Sequence, residues 1–222
     1  MAATATVLFK EFDGLYAYTQ SDEISVLLPQ SSAFFGRGVE KLVSLAAATA
    51  SAAFTEAVGH RAAFDARLWT GDGVEDVVDY FAWRQADAGR NALSTCAYWA
   101  LIGQGLTARQ AHGRLLGLRR AAKQELLAGC APSFEERPAW QRRGTGIWIE
   151  TFEKQAHDPR AQQDVTALRR PLRRESELPE GAAYRDLVQD LVTRSTRPAS
   201  AAAAGTTVAA AAAASPTTAT TA

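Results

Sequence analysis

The chain has 222 residues, enough for one sizeable domain or for a domain with a small appendage. Its 47% hydrophobic and 22% charged residues are ordinary for a soluble globular protein, and 24 basic against 24 acidic residues give no global charge that would indicate a nucleic-acid partner. Two cysteines without metal-site spacing, Cys96 and Cys130, argue against a zinc site or a disulfide framework and are typical of a reducing cytoplasm.

The first seventy residues alternate between helical and extended patterns. In chain order we predict helix 3–11, strand 15–19, strand 24–28, helix 37–58 ended by Gly59, and strand 64–69. The two early strands are joined by the polar turn Gln20-Ser21-Asp22-Glu23. Strand, strand, helix and strand make up most of a ferredoxin-like, polymerase-type palm, an α+β fold of which the opening strand is absent.

The remaining chain is mainly helical and then mixed. We predict helix 74–102 broken near Gly89, helices 107–116 and 121–127, strand 145–152 and helix 182–192. The arginine-rich region 158–177 suits a solvated arm, an exposed strand or an RNA-facing strip.

The end of the chain has a different composition. Residues 199–222 are only Ala, Thr, Ser, Gly, Pro and Val, which bury too little surface to offset a chain entropy of ~1–2 kcal/mol per residue. We therefore divide the chain into a palm domain at 1–153, a C-terminal arm and helix at 154–198, and a disordered Ala/Thr-rich tail at 199–222.

No stretch predicts secretion or membrane insertion. The first residues carry no basic segment before an apolar core, and the most apolar stretch, 42–58, is mainly Ala and Ser. It is shorter and more polar than the ~20 apolar residues that span a bilayer. We expect a soluble, cytoplasmic protein.

The turn between the first two strands has two interpretations. Ser and Asp are favoured turn residues, so the segment suits a solvated hairpin turn. Alternatively, a carboxylate at the hairpin tip reaches Mg²⁺, which usually keeps waters and substrate phosphates around one or two carboxylates. In two-metal phosphoryl transfer the ions lie ~3.5–4 Å apart and clamp the attacking and leaving oxygens.

Several short motifs follow one another along residues 2–153. They are Tyr18-Thr19-Gln20-Ser21-Asp22-Glu23-Ile24-Ser25, Phe35-Gly36-Arg37 with Lys41, Phe64-Asp65-Ala66-Arg67, residues 80–87, Arg90-Asn91, residues 123–127 and Arg142-Arg143-Gly144-Thr145. This ordered set resembles the tRNA(His) guanylyltransferase superfamily, the reverse-direction polymerases that extend RNA at its 5′ end. Gly89-Arg90-Asn91-Ala92, where histidyl-tRNA-specific members carry His-Ile-Asn-Asn, is similar to the guanylyltransferase-like branch that repairs 5′-truncated tRNAs.

The resemblance implies an enzyme. It would be a Mg²⁺-dependent nucleotidyltransferase that uses GTP, ATP or templated nucleotides and extends tRNA in the 3′-5′ direction, as a homo-oligomer that is a tetramer in the family. Asp22 matches the metal ligand, and Glu23 matches its acidic catalytic neighbour. The family's nucleotide and triphosphate contacts correspond in this sequence to Ser21, Arg37, Lys41, Asn91 and Lys123. From the residues alone, a cation pair such as Arg37 and Lys41 on one helix face is more often a solvated surface.

A local basic segment is the best candidate for binding an RNA backbone in this neutral chain. Its cations are Arg109, Arg114, Arg119, Arg120 and Lys123, and no acidic residue follows before Glu125. Because phosphate contacts by Lys and Arg dominate RNA affinity, we predict RNA binding by Arg114, Arg119 and Arg120.

The resemblance also implies that a segment is missing. Family members begin with a strand and an Asp-Gly-Arg-like loop that supplies the second metal-binding aspartate, whereas this chain starts inside the following helix. We expect a truncated or misplaced start, a metal site short of one aspartate, and impaired catalysis. We also expect strand 64–69 to lie one strand position from the hairpin, unless the sheet rearranges or another chain completes it. The alternative function is a non-catalytic tRNA-binding or oligomer-partner remnant, and a nucleotide-cyclase-like palm is a third hypothesis.

Overall fold

The computed structural model describes residues 1–130, 132–158, 160, 162–196 and 208–214. Within them the elements are α1 (Ala2–Glu11), β1 (Tyr16–Gln20), β2 (Glu23–Leu27), α2 (Val39–Val58), β3 (Asp65–Gly71), α3 (Val74–Gly103), α4 (Ala108–Leu115), α5 (Arg120–Leu127), α6 (Ala139–Arg143), β4 (Thr145–Ile149), β5 (Phe152–Asp158), β6 (Gln163–Arg169), β7 (Leu172–Glu175), α7 (Ala182–Thr196) and β8 (Val208–Ala214). No helix in these ranges is both long and apolar enough to cross a membrane.

A six-stranded antiparallel sheet organises the fold. Its strand order is β3-β8-β2-β1-β4-β7, and β5 pairs with β6 in a separate two-stranded sheet. The α+β fold class is confirmed. The arginine-rich region forms the strands β6 and β7, which agrees with its interpretation as an exposed strand. The sequence patterns did not predict the bounds of β5, β6 or α6.

The two faces of the sheet have different cores because side chains alternate along a strand. Tyr16 of β1 packs in one buried cluster with Phe81 of α3 and Val188 of α7. The next residue, Ala17, packs on the opposite face with Leu42 of α2. Helix α3 therefore covers the face of the hairpin that carries Tyr16, Tyr18 and Leu27.

The predicted break near Gly89 is wrong, because α3 runs unbroken for 30 residues. A glycine in a helix interior costs only ~1 kcal/mol relative to alanine. On either side of Gly89, α3 buries Phe81, Leu93 and Leu101, and each such side chain contributes ~1.5–3 kcal/mol. Burial of the helix face therefore outweighs the local glycine penalty.

Strand β8 corrects part of the predicted disordered tail. Residues 208–214 pair antiparallel with β2 on one side and β3 on the other, so that Ala210 lies opposite both Leu27 and Trp69. Without a strand there, the facing edges of β2 and β3 would leave backbone N–H and C=O groups unpaired inside the sheet, at ~1–3 kcal/mol for each buried group. Strand β8 thus occupies the position that we expected to be open between the hairpin and β3. The other residues of the predicted tail lie outside the described residues.

Candidate functional site

A cavity of about 460 Å³ lies beside the loop that joins β1 to β2. Its walls are that loop, one face of α3, and the segment that leads into α6. On α3 the lining residues recur every three or four positions, at Arg84, Ala88, Asn91, Thr95 and Trp99, which is the spacing of one helix face. The volume lies within the range of about 300–1,000 Å³ that is usual for small-molecule sites.

The loop at the hairpin tip presents two adjacent carboxylates. Gln20 pairs with Glu23, which leaves Ser21 and Asp22 as a two-residue loop, and Ser21 has a φ of 54°. Tight hairpin loops require such positive φ values. Half-buried Asp22 forms no hydrogen bond or ion pair with the described residues, so its carboxylate is available to a ligand.

Glu23 is held by α3. Its carboxylate forms an ion pair with Arg84, whose side chain is only 14% exposed and whose guanidinium lies 5.0 Å from the centroid of the Trp83 ring. The pair neutralises Glu23 and fixes the loop against α3. Of the two neighbouring carboxylates, Asp22 is therefore the one whose charge is not already compensated.

The donor set fits Mg²⁺ in a limited way. Asp22 and Glu23 offer oxygen ligands, and Mg²⁺ is usually bound through one or two carboxylates together with waters and substrate phosphates. Within the described ranges there is no group of three or more His, Cys, Asp or Glu side chains that could hold a metal ion. The residues present suit an ion that is shared with a phosphate substrate.

Two buried polar atoms of residues that line the cavity have no hydrogen-bond partner among the described residues. They are the hydroxyl of Tyr18 and Nε of Arg137. Burial raises the pKa of the Tyr18 phenol, so the hydroxyl stays neutral and can donate. Because an unpaired buried group costs ~1–3 kcal/mol, both atoms are ready to bind a ligand or water.

The segment before α6 crosses α3 and so fixes the far wall. Phe134 packs with Leu93 of α3, and a Cβ built at Gly89 would lie 3.5 Å from the carbonyl oxygen of Arg142. Nε2 of Gln20 donates to the carbonyl oxygen of Gln141 at 2.8 Å, which ties the hairpin loop to α6. Residues between 134 and 142 therefore lie beside the middle of the exposed face of α3.

Four of the predicted site residues meet at this cavity. They are Ser21, Asp22, Glu23 and Asn91. Nδ2 of Asn91 donates to Oδ2 of Asp87 at 3.1 Å, and Nη2 of Arg90 donates to Oδ1 of the same carboxylate at 3.0 Å. Asn91 thus helps to orient Asp87, which also lines the cavity.

The predicted triphosphate cations do not line this cavity. Nη1 of Arg37 donates to the carbonyl oxygens of Gln30 and Ser32, and Nζ of Lys41 lies 5.8 Å from the centroid of the Phe35 ring. Nζ of Lys123 donates to Oγ of Ser94 on α3 at 2.8 Å. Their phosphate-binding roles stay predictions.

Arg84 and Arg137 are cations at the cavity that the sequence did not assign to it. Arg84 lies one helical turn before Ala88 and two before Asn91, so extending the helix face of Asn91 backwards would have found it. Arg137 lies in an irregular segment, and no periodic pattern marks it.

The basic residues predicted to bind RNA are exposed. Arg114 lies in the last turn of α4, Arg119 is the N-cap of α5, and Arg120 is its first residue. None of the three forms an ion pair with a described residue. The start of α4 is fixed by a capping box between Thr107 and Gln110, which the N-terminal threonine predicted. RNA binding here stays a prediction.

Comparison with known proteins gives matches over most of the chain. Residues 1–71 match the family model described as tRNAHis guanylyltransferase, and residues 75–189 match the one described as Thg1 C terminal domain. The boundary falls between β3 and α3, so the cavity combines the hairpin loop of the first match with the α3 and α6 walls of the second.

Individual relatives agree with the family models. The probable tRNA(His) guanylyltransferase of Drosophila melanogaster is 33% identical over 156 residues, which are 65% of this chain and 54% of the relative. That of Mus musculus is 31% identical over 167 residues, 70% of this chain and 56% of the relative. The chain thus spans about half the length of these curated relatives. A solved bacterial tRNA(His) guanylyltransferase (Thg1)-like protein in complex with ATP is 26% identical, with a TM-score of 0.62 over 85% of this chain and 76% of that chain.

Proposed function

This chain belongs to the tRNAHis guanylyltransferase family, and from that membership we propose that it acts as a nucleotidyltransferase on the 5′ end of tRNA. GTP, ATP or templated nucleotides are its substrates, extension runs in the 3′-5′ direction, and the protein works in cytoplasmic tRNA repair or maturation as a homo-oligomer. The observation that carries the proposal is the uncompensated carboxylate of Asp22 at a cavity of nucleotide-binding size. The bacterial relative in complex with ATP supports the choice of nucleotides.

The chain's residues divide the work of phosphoryl transfer. Asp22 would hold Mg²⁺, which when bound neutralises charge on phosphate oxygens, and Glu23 would support it from the adjacent position. Arg84 fixes Glu23 beside the loop, and Asn91 orients Asp87 on the adjacent helix face. Positioning and charge stabilisation are the main catalytic contributions in this class of reaction, and a rigid loop between two walls provides positioning.

Nucleotide addition by the 222-residue chain tests the proposal. We expect weak, Mg²⁺-dependent incorporation of labelled nucleotide into a 5′-truncated, triphosphorylated tRNA, because the site lacks a second aspartate ligand among the described residues, and a further fall by about two orders of magnitude in Asp22→Ala. Asp186→Ala, which removes an exposed carboxylate from α7, is the matched control and should keep the parent rate. Templated addition that survives Asp22→Ala would show that the hairpin does not carry the chemistry.

A non-catalytic RNA-binding protein is the second candidate. The lack of a three-carboxylate group within the described ranges favours it, and so do the exposed arginines of α4 and α5. It predicts salt-sensitive tRNA binding without nucleotide incorporation. The slope of log K for tRNA binding against log salt concentration should become shallower by about one for each of Arg114, Arg119 and Arg120 that is changed to Ala. Unchanged binding in the triple variant would exclude this surface as the RNA site.

A further inference from the structure

The far end of the cavity has an exposed aromatic wall. Trp99 on α3 is 63% exposed and lines the cavity at this end. The ring of Tyr98 meets that of Trp99 edge to face, with centroids 5.3 Å apart. Large exposed aromatic surface at a concave site is typical of a contact with an apolar, flat ligand group.

The aromatic wall is well separated from the carboxylates. Asp87 lies beside the hairpin loop, and Trp99 lies 12 positions further along the unbroken helix, which corresponds to roughly 18 Å of helix axis. Arg137 and Trp140 lie between these two ends, because Phe134 packs at Leu93 and Arg142 lies at Gly89. The cavity therefore has a charged end and an aromatic end.

Arg137 is the cation whose charge remains uncompensated among the described cavity residues. Its guanidinium has no hydrogen bond or ion pair with them, whereas Arg84 is paired with Glu23. A guanidinium binds phosphate strongly and often through two parallel hydrogen bonds.

We propose that the cavity binds a nucleoside triphosphate in one orientation, with its phosphates against Arg137 and its base stacked on Trp99. The inference rests on the proposed function only in taking the ligand to be a nucleotide. Stacking accepts any base, because every base has a flat π face. The site therefore binds ATP and GTP with similar affinity, and discrimination between nucleotides is left to pairing with a template.

Adenosine and inorganic tripolyphosphate, the two parts of ATP, test the aromatic end and the arginine of the cavity independently. Calorimetric titration of the 222-residue chain with ATP, adenosine and inorganic tripolyphosphate gives three dissociation constants. Trp99→Ala should weaken ATP and adenosine by about tenfold and leave tripolyphosphate unchanged, and Trp99→Phe should retain most of the affinity. Arg137→Ala should weaken ATP and tripolyphosphate by about tenfold or more and leave adenosine unchanged.

Matched controls are available outside the cavity. Phe152→Ala removes an exposed aromatic side chain from β5, and Arg169→Ala removes an exposed arginine from β6, and neither should change any of the three constants. Unchanged adenosine binding in Trp99→Ala, or unchanged tripolyphosphate binding in Arg137→Ala, would overturn the inference. So would a Trp99→Ala variant that binds ATP normally but tRNA weakly, because the tryptophan would then contact RNA.

The outcomes separate this inference from the proposed function. Ligand binding with the predicted variant pattern but without extension of tRNA would refute the proposed function and support the orientation. Extension of tRNA with an unchanged nucleotide KM in Trp99→Ala and Arg137→Ala would refute the orientation alone.

Discussion

Ser21 holds the hairpin loop in a conformation that its own side chain disfavours. Its φ of 54° is in the left-handed region, which costs a non-glycine residue ~1–2 kcal/mol. The loop is nevertheless fixed on both sides, because Gln20 is bonded to the carbonyl oxygen of Gln141 and Glu23 is paired with Arg84. The strained residue is thus adjacent to the carboxylate that faces the cavity, Asp22.

Replacing Ser21 by glycine should stabilise the protein. Ser21→Gly relieves the left-handed strain of about 1–2 kcal/mol. Glycine also makes the unfolded chain more flexible, which lowers stability by about 0.5–1 kcal/mol. The free energy of unfolding should therefore rise by about 0.5–1 kcal/mol. For a chain of this size this raises Tm by roughly 2 °C in a thermal unfolding scan.

The control for Ser21→Gly is the same substitution in a helix. Ser44 is an exposed position of α2, where glycine should lower Tm because helix interiors disfavour it. A fall in Tm for Ser21→Gly as well would show that the loop conformation is not strained.

Among the elements, β8 depends most on distant parts of the chain. Its backbone pairs with β2 through the Ser25–Ala212 register and with β3 through the Arg67–Ala212 register. The short α6 is likewise determined by its contacts with α3 and the hairpin rather than by a helical pattern of its own. By contrast, α4 begins where its own capping residue places it.

A proline in β8 should disrupt strand pairing at the centre of the sheet. Ala212→Pro removes a backbone donor from a strand that is paired on both sides, and we expect a loss of about 1–3 kcal/mol in the free energy of unfolding. Urea unfolding measures the loss, and hydrogen exchange of the β3 amides should become faster.

Ala212→Ser is the matched variant, because it keeps the backbone N–H and should cost much less. Equal stability of the proline variant and the parent chain would mean that residues 208–214 do not contribute to the sheet in solution.

At the scale of the whole molecule, one core is built around buried tyrosines. Tyr16 and Tyr184 are fully buried, their hydroxyl oxygens are 3.0 Å apart, and Tyr18 lies in the same cluster. Burial raises the pKa of all three phenols. The cluster joins the central hairpin to α3 and to the C-terminal α7, so its protonation affects the whole fold.

This cluster predicts loss of stability at alkaline pH. A phenol with a raised folded-state pKa contributes its stability fully below the unfolded value of about 10, and this stability is lost as the pH rises towards the folded value. Above pH 10 each tyrosine should remove about 1.4 kcal/mol per pH unit.

Urea unfolding between pH 9 and about 11, with tyrosine ionisation followed by absorbance, measures this slope. Tyr184→Phe should reduce the slope by the contribution of one tyrosine, and Tyr98→Phe, at a half-buried tyrosine outside this cluster, is the control. A flat free energy of unfolding across this range would mean that the phenols ionise without opening the core.

Much of the fold and part of the site could be predicted from the sequence. The hairpin and the ends of α2 and α4 depend on turn residues, caps and apolar spacing, which act within a few residues. The family motifs placed Ser21, Asp22 and Glu23 in one site, and the structure brings them to one cavity.

Which cation faces that cavity was decided only by the tertiary structure. Arg37 and Lys41 occupy motif positions but lie away from the cavity, and Arg137 reaches it because an irregular segment crosses α3. Strand β8 was also invisible in the sequence, because small residues without a period carry no strand signal. Turns, caps and helix faces are determined by residues that are neighbours in the sequence. The cavity walls and the central strand β8 depend instead on groups from distant parts of the chain that come together only in the folded protein.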